Sequence, residues 1–337
     1  MMKFYKIMFF STMISGTLIT VSSYSWMSMW MGLEINLLSF IPLMSDPKNL
    51  YPSESALKYF ITQVMASAIL LFSVISMINL NEFINLNLNY LFLMIFNSSL
   101  LTKLGAAPFH FWFPEVTEGL SWMNCLILLT WQKLAPMVIL MYNTTMTAFF
   151  SWSILFSAMI SGIMGLNQVS LRKMLTYSSI NHIGWMLAAM MNLQSIWLIY
   201  LLTYSIITMN IIVIFNVLKT FYLKQLFNSL KFNKMLNFFF ALNLLSLGGL
   251  PPFLGFFPKW LTINNLVENN FLTNSVILIL FSLITLFFYL RVSITAMVIY
   301  SVEEINYINN PKMAILVLFN LMSILGLLTC TFIFSEF

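Results

Sequence analysis

Apolar residues run along this chain in stretches of helix length, and polar residues gather in the short gaps between them. A helix needs about 20 residues to cross the hydrocarbon core of a bilayer. Runs of that order fall at residues 4–22, 25–44, 56–78, 86–118, 121–142, 148–168, 174–191, 195–219, 236–267, 272–300 and 313–334. Most gaps are brief, such as Ser45-Asp46-Pro47-Lys48-Asn49 and Asn167-Gln168; a basic segment from Lys219 to Lys234 is the longest. The pattern predicts an all-α polytopic membrane protein with about 11 transmembrane helices, a single transmembrane domain over residues 1–337 with no linker.

The fourth and ninth runs are too long for one straight span, and both are interrupted by glycine and proline. The interruptions repeat one another 144 residues apart: Gly105 to Glu115 reads GAAPFHFWFPE, and Gly249 to Lys259 reads GLPPFLGFFPK. Glycine, proline and phenylalanine recur in register at Gly105/Gly249, Pro108/Pro252, Phe109/Phe253, Phe113/Phe257 and Pro114/Pro258. Just upstream, Leu100-Leu101-Thr102 matches Leu244-Leu245-Ser246. We expect two broken helices, around residues 105–108 and 248–252. The first repeat would cover about 25–142, the second about 148–300, and a C-terminal helix about 313–334. A broken span that occurs twice, with charge nearby, is the sequence pointer to an ion path.

Composition strengthens the membrane reading: 60% of the 337 residues are hydrophobic, 7% are charged, and mean hydropathy is +0.91. The net charge of +5 would suggest nucleic acid only if its placement were ignored. Lys3, Lys6, Lys48, Lys58, Arg172, Lys173, Lys219, Lys224, Lys231, Lys234 and Lys312 all fall in loops or helix ends on the side of the N-terminus, and the opposite loops carry none. By the positive-inside rule the N-terminus faces the cytoplasm-equivalent compartment, and an odd helix count puts the C-terminus opposite. The fourth and ninth helices then enter from opposite sides, which makes the repeat an inverted-topology one. Lys3 and Lys6 before an apolar run resemble a signal peptide, but no small-residue cleavage site follows, so a first span is expected there. No Arg- and Ser-rich transit peptide is evident. The abundance of Met, Phe, Ile and Asn suggests an A+T-rich organellar genome. Cys125 and Cys330 each lie alone in an apolar run, as buried thiols do.

Removing the loop cations leaves Lys103, Lys133, Lys259 and Arg291 within the runs, together with Glu34. Glu34 lies nine residues into the second run, roughly 14 Å deep at 1.5 Å per residue. Lys133 is equally central in the fifth. Each such charge costs on the order of 2.5–3.5 kcal/mol to insert, so it needs a partner, water or an altered protonation state. Taking a lysine out of water loosens its proton, and a carboxylate drawn close tightens it again. A lysine moving between those settings is a proton carrier. Glu34 with Lys103 is the candidate modulating pair, Lys133 the central carrier and Lys259 the carrier of the second repeat. His110, inside the first break, is a candidate relay, since imidazole titrates near neutrality.

Plainer roles stand beside these. Glycine and proline kink helices for packing alone, although two matched breaks argue against that here. Lys259 lies beyond the second break but well inside the run, and snorkelling is its plainer role. Arg291 reads as a structural pairing at the basic face. His182, in SSINHIGWM, is either a hydrogen-bonded core histidine or a further proton-path residue. Glu115 and Glu118 mark the inner end of the fourth run. The chain shows no evident bis-His haem pair, iron–sulfur cysteine cluster, metal spacing, dinucleotide loop or phosphate loop.

Trp30 to Leu43 (WMGLEINLLSFIPL), Lys58 to Gln63, Leu101 to Val116 (LTKLGAAPFHFWFPEV), Thr130 to Met137 (TWQKLAPM), Tyr177 to Met186 and Leu247 to Trp260 (LGGLPPFLGFFPKW) together resemble the family of mitochondrially encoded subunit 2 of NADH:ubiquinone oxidoreductase, respiratory complex I. The resemblance extends over nearly the whole chain. It implies an antiporter-like, proton-translocating core subunit of the membrane arm, coupled to quinone reduction elsewhere in the complex. It implies Glu34, Lys103, Lys133 and Lys259 as proton-path positions, with His110 between, and a lysine at 259 is similar to subunit 2 rather than subunit 4. It also implies that the chain binds no cofactor itself, with NADH, FMN, iron–sulfur clusters and ubiquinone in partner subunits. Partners would be other membrane-arm core subunits, accessory subunits and lipid, not nucleic acid. The location would be the mitochondrial inner membrane, N-terminus in the matrix and C-terminus in the intermembrane space. Bacterial members have fourteen helices, so eleven resembles the animal form lacking the first three. Two other classes stay open: a free-standing secondary antiporter exchanging protons for sodium or potassium, and a structural spacer.

Overall fold

The computed structural model describes residues 4–45, 49–80, 86–230 and 234–298. The expected C-terminal helix at 313–334, Cys330, Lys3, Lys48, Lys231 and Lys312 lie outside the described residues. Within them the chain is helical: α1 Phe4–Ser22, α2 Trp26–Met44, α3 Leu50–Leu80, α4 Leu86–Leu104, α5 Trp112–Gly119, α6 Trp122–Leu129, a 3₁₀ turn Trp131–Lys133, α7 Leu134–Met141, α8 Thr147–Gly165, α9 Leu171–Met190, α10 Gln194–Leu218, α11 Leu223–Leu230, α12 Lys234–Gly248, α13 Phe256–Glu268 and α14 Leu272–Val298. Among the described residues the one β feature is an isolated bridge between Ser170 and Tyr222.

Among the described residues, seven segments are long and apolar enough to cross a bilayer: α1, α2, Leu50–Ile78 of α3, Trp122–Met141, α8, α10 and α14. Outward-facing positions on them are apolar and exposed, including Leu18 at 62%, Met65 at 62% and Phe287 at 59%. An apolar surface of this extent is stable only against hydrocarbon or other protein. Inward-facing hydroxyls bond to their own helices, as Thr20 Oγ1 does to the carbonyl of Thr17 at 2.6 Å and Ser73 Oγ to that of Leu70 at 2.7 Å. Such bonds satisfy hydroxyls that apolar surroundings would otherwise leave unpaired.

The chain divides into two compact units, Met1–Ser153 and Ile154–Phe337. In the first, α1 and α2 lie together through small residues. A Cβ on Gly32 would come 2.5 Å from Thr20 Cγ2 and 2.9 Å from the Gly16 carbonyl oxygen. Helices in membranes pack on such positions because no hydrophobic force draws them together. The α3 helix packs on α2, α4 and α5 and turns a mixed edge inward, burying Tyr59, Gln63, Ser67 and Ser73.

In the second unit α9 is buried along almost its whole length, packed against α10, α13 and α14. The sequence explains why. Thr176, Ser178, Ser179, Asn181 and His182 place polar groups around the helix, and lipid would leave them unpaired. They find partners in protein: Asn181 Nδ2 donates to Thr285 Oγ1 at 3.3 Å, and His182 Nδ1 is hydrogen-bonded to the Tyr200 hydroxyl at 2.9 Å.

Candidate functional site

Helices α4 and α12 end in the same way. Gly105 and Gly249 sit in the left-handed region, at φ 73° and 81°. Gly105 N–H donates to the Thr102 carbonyl at 3.2 Å and Ala106 N–H to Leu101 at 3.1 Å; in the second copy Gly249 N–H donates to Ser246 at 3.0 Å and Leu250 N–H to Leu245 at 3.4 Å. This pair of bonds is a Schellman motif, which glycine closes because it has no Cβ to oppose the left-handed turn. The sequence repeat is therefore also a repeat of hydrogen bonding. After each turn the chain runs without regular helix over residues 105–111 and 249–255, then resumes in α5 and α13.

A helix that stops inside an apolar region strands its last carbonyls, and each must find a donor. The two copies meet that need differently. At α4 the donors are neutral: Trp112 Nε1 bonds Thr102 O at 3.0 Å, and Gln63 Nε2 reaches Lys103 O at 3.5 Å. At α12 the donor is a lysine amine. Lys259 Nζ lies 2.8 Å from Gly248 O and 3.4 Å from Leu247 O, with the face of Trp185 5.7 Å away. Lys259 Nζ thus sits at the negative end of the α12 dipole and over an aromatic ring, and both settings favour its protonated form. Lys259 is 6% exposed.

With its carbonyl held by Gln63, Lys103 has its ammonium available for other partners. Lys103 Nζ lies 3.9 Å from Glu34 Oε1, its side chain 4% exposed and that of Glu34 22%. Lys103 and Lys133 line one cavity of about 20 Å³, enough for a water molecule. Asn36, Tyr59, Gln63 and Gln132 supply the rest of its polar lining. Lys133 ends the 3₁₀ turn and is 2% exposed. Pro136 has no N–H to offer the Gln132 carbonyl, so α-helical bonding lapses where Lys133 enters the cavity.

Of the residues picked out from sequence, Glu34, Lys103 and Lys133 come together in the first unit, while Lys259 belongs to the second. His110 is buried in the first break but is not among the residues lining the cavity. Its Nδ1 is 3.3 Å from the Pro108 carbonyl and its ring stacks beside Phe111. His182 sits on α9 with Tyr200 and the ring of Tyr204, 4.9 Å away. Arg291 donates to the Leu166 carbonyl at 2.9 Å. Glu115 stands in the repeat where Lys259 stands in the second copy, yet it is exposed and ion-paired to Lys58 at 3.1 Å. Cys125 is buried, its thiol 3.6 Å from the Thr117 carbonyl. Sequence reading missed Asn36, Gln63 and Gln132, whose only signal was being amides inside apolar runs.

A family model described as NADH:quinone oxidoreductase/Mrp antiporter, transmembrane, matches residues 23–288. The chain is 51% identical to NADH-ubiquinone oxidoreductase chain 2 of Anopheles gambiae over 338 residues, covering 97% of each. It is 53% identical to the protein of that name from Aedes aegypti over 337 residues, again 97% of each. Among solved structures, a chain of respiratory complex I from Thermus thermophilus superposes with TM-score 0.86 at 25% identity, covering 97% of this chain and 79% of that one. A chain of the Mrp complex from Dietzia sp. DQ12-45-1b shares the fold at TM-score 0.72 and 14% identity, over 83% of this chain and 58% of that one.

Proposed function

This chain belongs to the family of NADH-ubiquinone oxidoreductase chain 2, and from that premise we propose that Glu34, Lys103, Lys133 and Lys259 carry the protons it moves. It is a proton-translocating, antiporter-like subunit in the membrane arm of respiratory complex I, the enzyme that passes electrons from NADH to ubiquinone. It is a multi-pass protein of the mitochondrial inner membrane and its partners are other complex I subunits.

Beyond the seven apolar spans, α4 with α5, α9, and α12 with α13 cross the membrane as well; the count of eleven also takes in the apolar run at 313–334, which lies outside the described residues. The two interrupted spans are halves of an inverted-topology repeat in one antiporter-like domain, each bringing a lysine to mid-membrane depth. The one-sided distribution of loop cations supports a matrix-facing N-terminus and a C-terminus in the intermembrane space. Accessory subunits and lipid cover the exposed apolar faces. NADH, FMN, iron–sulfur clusters and ubiquinone belong to partner subunits, because the sequence offers no motif for holding them. His110 and His182 stand outside the carrier set in this reading, His110 for want of contact with the cavity and His182 because Tyr200 holds it in the core.

The observation that carries the proposal is the shared cavity. Lys103 and Lys133 open onto one space with room for water, and Lys103 has Glu34 within 3.9 Å. Movement of Glu34 toward or away from Lys103 changes how firmly that lysine holds its proton, and Lys133 is the acceptor across the cavity. The test is Lys133→Met in the assembled complex, in sealed inner-membrane vesicles. Proton uptake driven by NADH falls sharply, and electron transfer slows with it through coupling. Full pumping with normal assembly would make the chain a spacer.

A further inference from the structure

Gln132 Nε2 donates to Asn36 Oδ1 at 3.0 Å, joining two residues 96 apart in sequence. Gln132 precedes Lys133 in the 3₁₀ turn; Asn36 lies on α2, two residues beyond Glu34. Asn36 is 3% exposed, and both amides line the cavity shared by Lys103 and Lys133. We propose that this hydrogen bond is a positioning link: it holds the turn carrying Lys133 against the helix carrying Glu34, so that both lysines face one water-sized space. The inference rests on the proton-carrying reading of Lys103 and Lys133 given above.

Three physical points support it. First, regular α-helical bonding is interrupted at this turn within the Trp122–Met141 segment. Its hydrogen bonding departs from the α-helical pattern, Lys133 N–H reaches Thr130 O only at 3.4 Å, and Pro136 removes a donor one turn on. A side-chain tie to a regular helix fixes what the backbone leaves loose. Second, an amide is suited to the place. It donates and accepts at once, yet neither gains nor loses a proton in the physiological range. It can orient a water between two lysines without becoming a trap for the proton. Third, an apolar pair of similar size would pack as well in an apolar environment. Buried Asn36 must find a polar partner, and it finds one in half-buried Gln132, across two elements that each carry a proton-path residue.

Neither amide is a proton carrier in this scheme; each acts through Lys133. The link also gives motion of α2 a route to the turn. A displacement of Glu34 relative to Lys103 is transmitted to the Lys133 side of the cavity by a single bond.

The experiment uses the assembled complex in sealed inner-membrane vesicles, carrying Gln132→Leu, Gln132→Met, Asn36→Leu, Asn36→Leu with Gln132→Leu, or the reciprocal exchange Asn36→Gln with Gln132→Asn. Lys133→Met is the reference. Proton uptake driven by NADH is normalised to the amount of assembled complex, measured separately on native gels. The expected result is that each single amide variant falls toward the Lys133→Met level, the double falls no further than the worse single, and the exchange recovers at least half of the lost rate. Normal uptake per complex in Q132L and N36L, with K133M impaired, would overturn the link while leaving the carriers standing. Normal uptake in K133M would overturn the carrier reading beneath it. If neither Q132L nor Q132M assembles, or if uptake falls and the exchange recovers nothing, the pair serves folding alone and the positioning role is rejected.

Discussion

Lys259 Nζ lies 2.8 Å from the carbonyl oxygen of Gly248, the last residue of α12. The cation therefore does two things in one place: it supplies a donor to a carbonyl that the break would strand, and it sits where the helix dipole is negative. The next residue, Gly249, makes room for this. A Cβ at 249 would stand 2.8 Å from Lys259 Cδ and 3.0 Å from its Nζ, on a backbone at φ 81°. Lysine and glycine are one device.

Gly249→Ala should therefore be costly in both stability and function. The left-handed backbone alone costs about 1–2 kcal/mol for a residue with a Cβ, and the lysine must shift off its carbonyls. We expect less assembled complex and lower NADH-driven proton uptake per complex, read by native gel and in sealed vesicles. Wild-type values on both measures would mean that Lys259 does not depend on this cap.

Glu34→Gln removes the carboxylate 3.9 Å from Lys103 without changing its size. If the pair modulates protonation, E34Q and Lys103→Met each slow proton uptake several-fold, and the double variant is no slower than the worse single, since both remove the same interaction. Additive losses, measured as uptake rates in sealed vesicles, would show that the two residues work independently.

Much of this was legible in the chain. Glu34, Lys103 and Lys133 stood out because charge in an apolar run is expensive, and the two breaks because glycine and proline recurred in register. The cavity was not legible. It depends on Gln132 meeting Asn36 and Gln63 meeting the Lys103 backbone, contacts between amides far apart in sequence that no periodicity marks. Pro136 was the one local hint, since a proline four residues on frees the Gln132 carbonyl. The repeat also misled in one detail. It sets Glu115 opposite Lys259, but the first copy closes its helix end with Trp112 and Gln63 and leaves Glu115 outside with Lys58. Side chains met across space decide which member of a repeated pair becomes the buried one.

His182 offers a choice between chemistry and packing that one atom can settle. Its Nδ1 bonds the Tyr200 hydroxyl at 2.9 Å, inside a helix buried on all sides. Tyr200→Phe deletes that partner and keeps the ring. A core histidine would lose about 1 kcal/mol of stability, seen as a lower thermal midpoint of the solubilised complex, with proton uptake per complex unchanged. Collapse of uptake at normal assembly would place His182 among the carriers instead.

Gly32 lies on the same helix as Glu34 and Asn36 but faces α1, so it separates packing from proton chemistry. A Cβ there would meet Thr20 Cγ2 at 2.5 Å, Thr20 N at 2.9 Å and Gly16 O at 2.9 Å. Two of those are backbone atoms, which yield only if α1 moves outward. Gly32→Ala should thus cost about 1–3 kcal/mol as overpacking, lowering the amount of assembled complex and its thermal midpoint. Thr20→Ser removes the closest methyl and keeps the hydroxyl that bonds Thr17 O, so it should recover part of the loss but not all, because the backbone contacts persist. Proton uptake per assembled complex should stay near wild type in both variants, since the atoms that meet the new Cβ belong to Thr20 and Gly16 and to neither the Gln132–Asn36 bond nor the Glu34–Lys103 pair. A fall in uptake per complex equal to that of E34Q would mean that the seat of α1 sets the position of Glu34, and that the first helix belongs to the proton path.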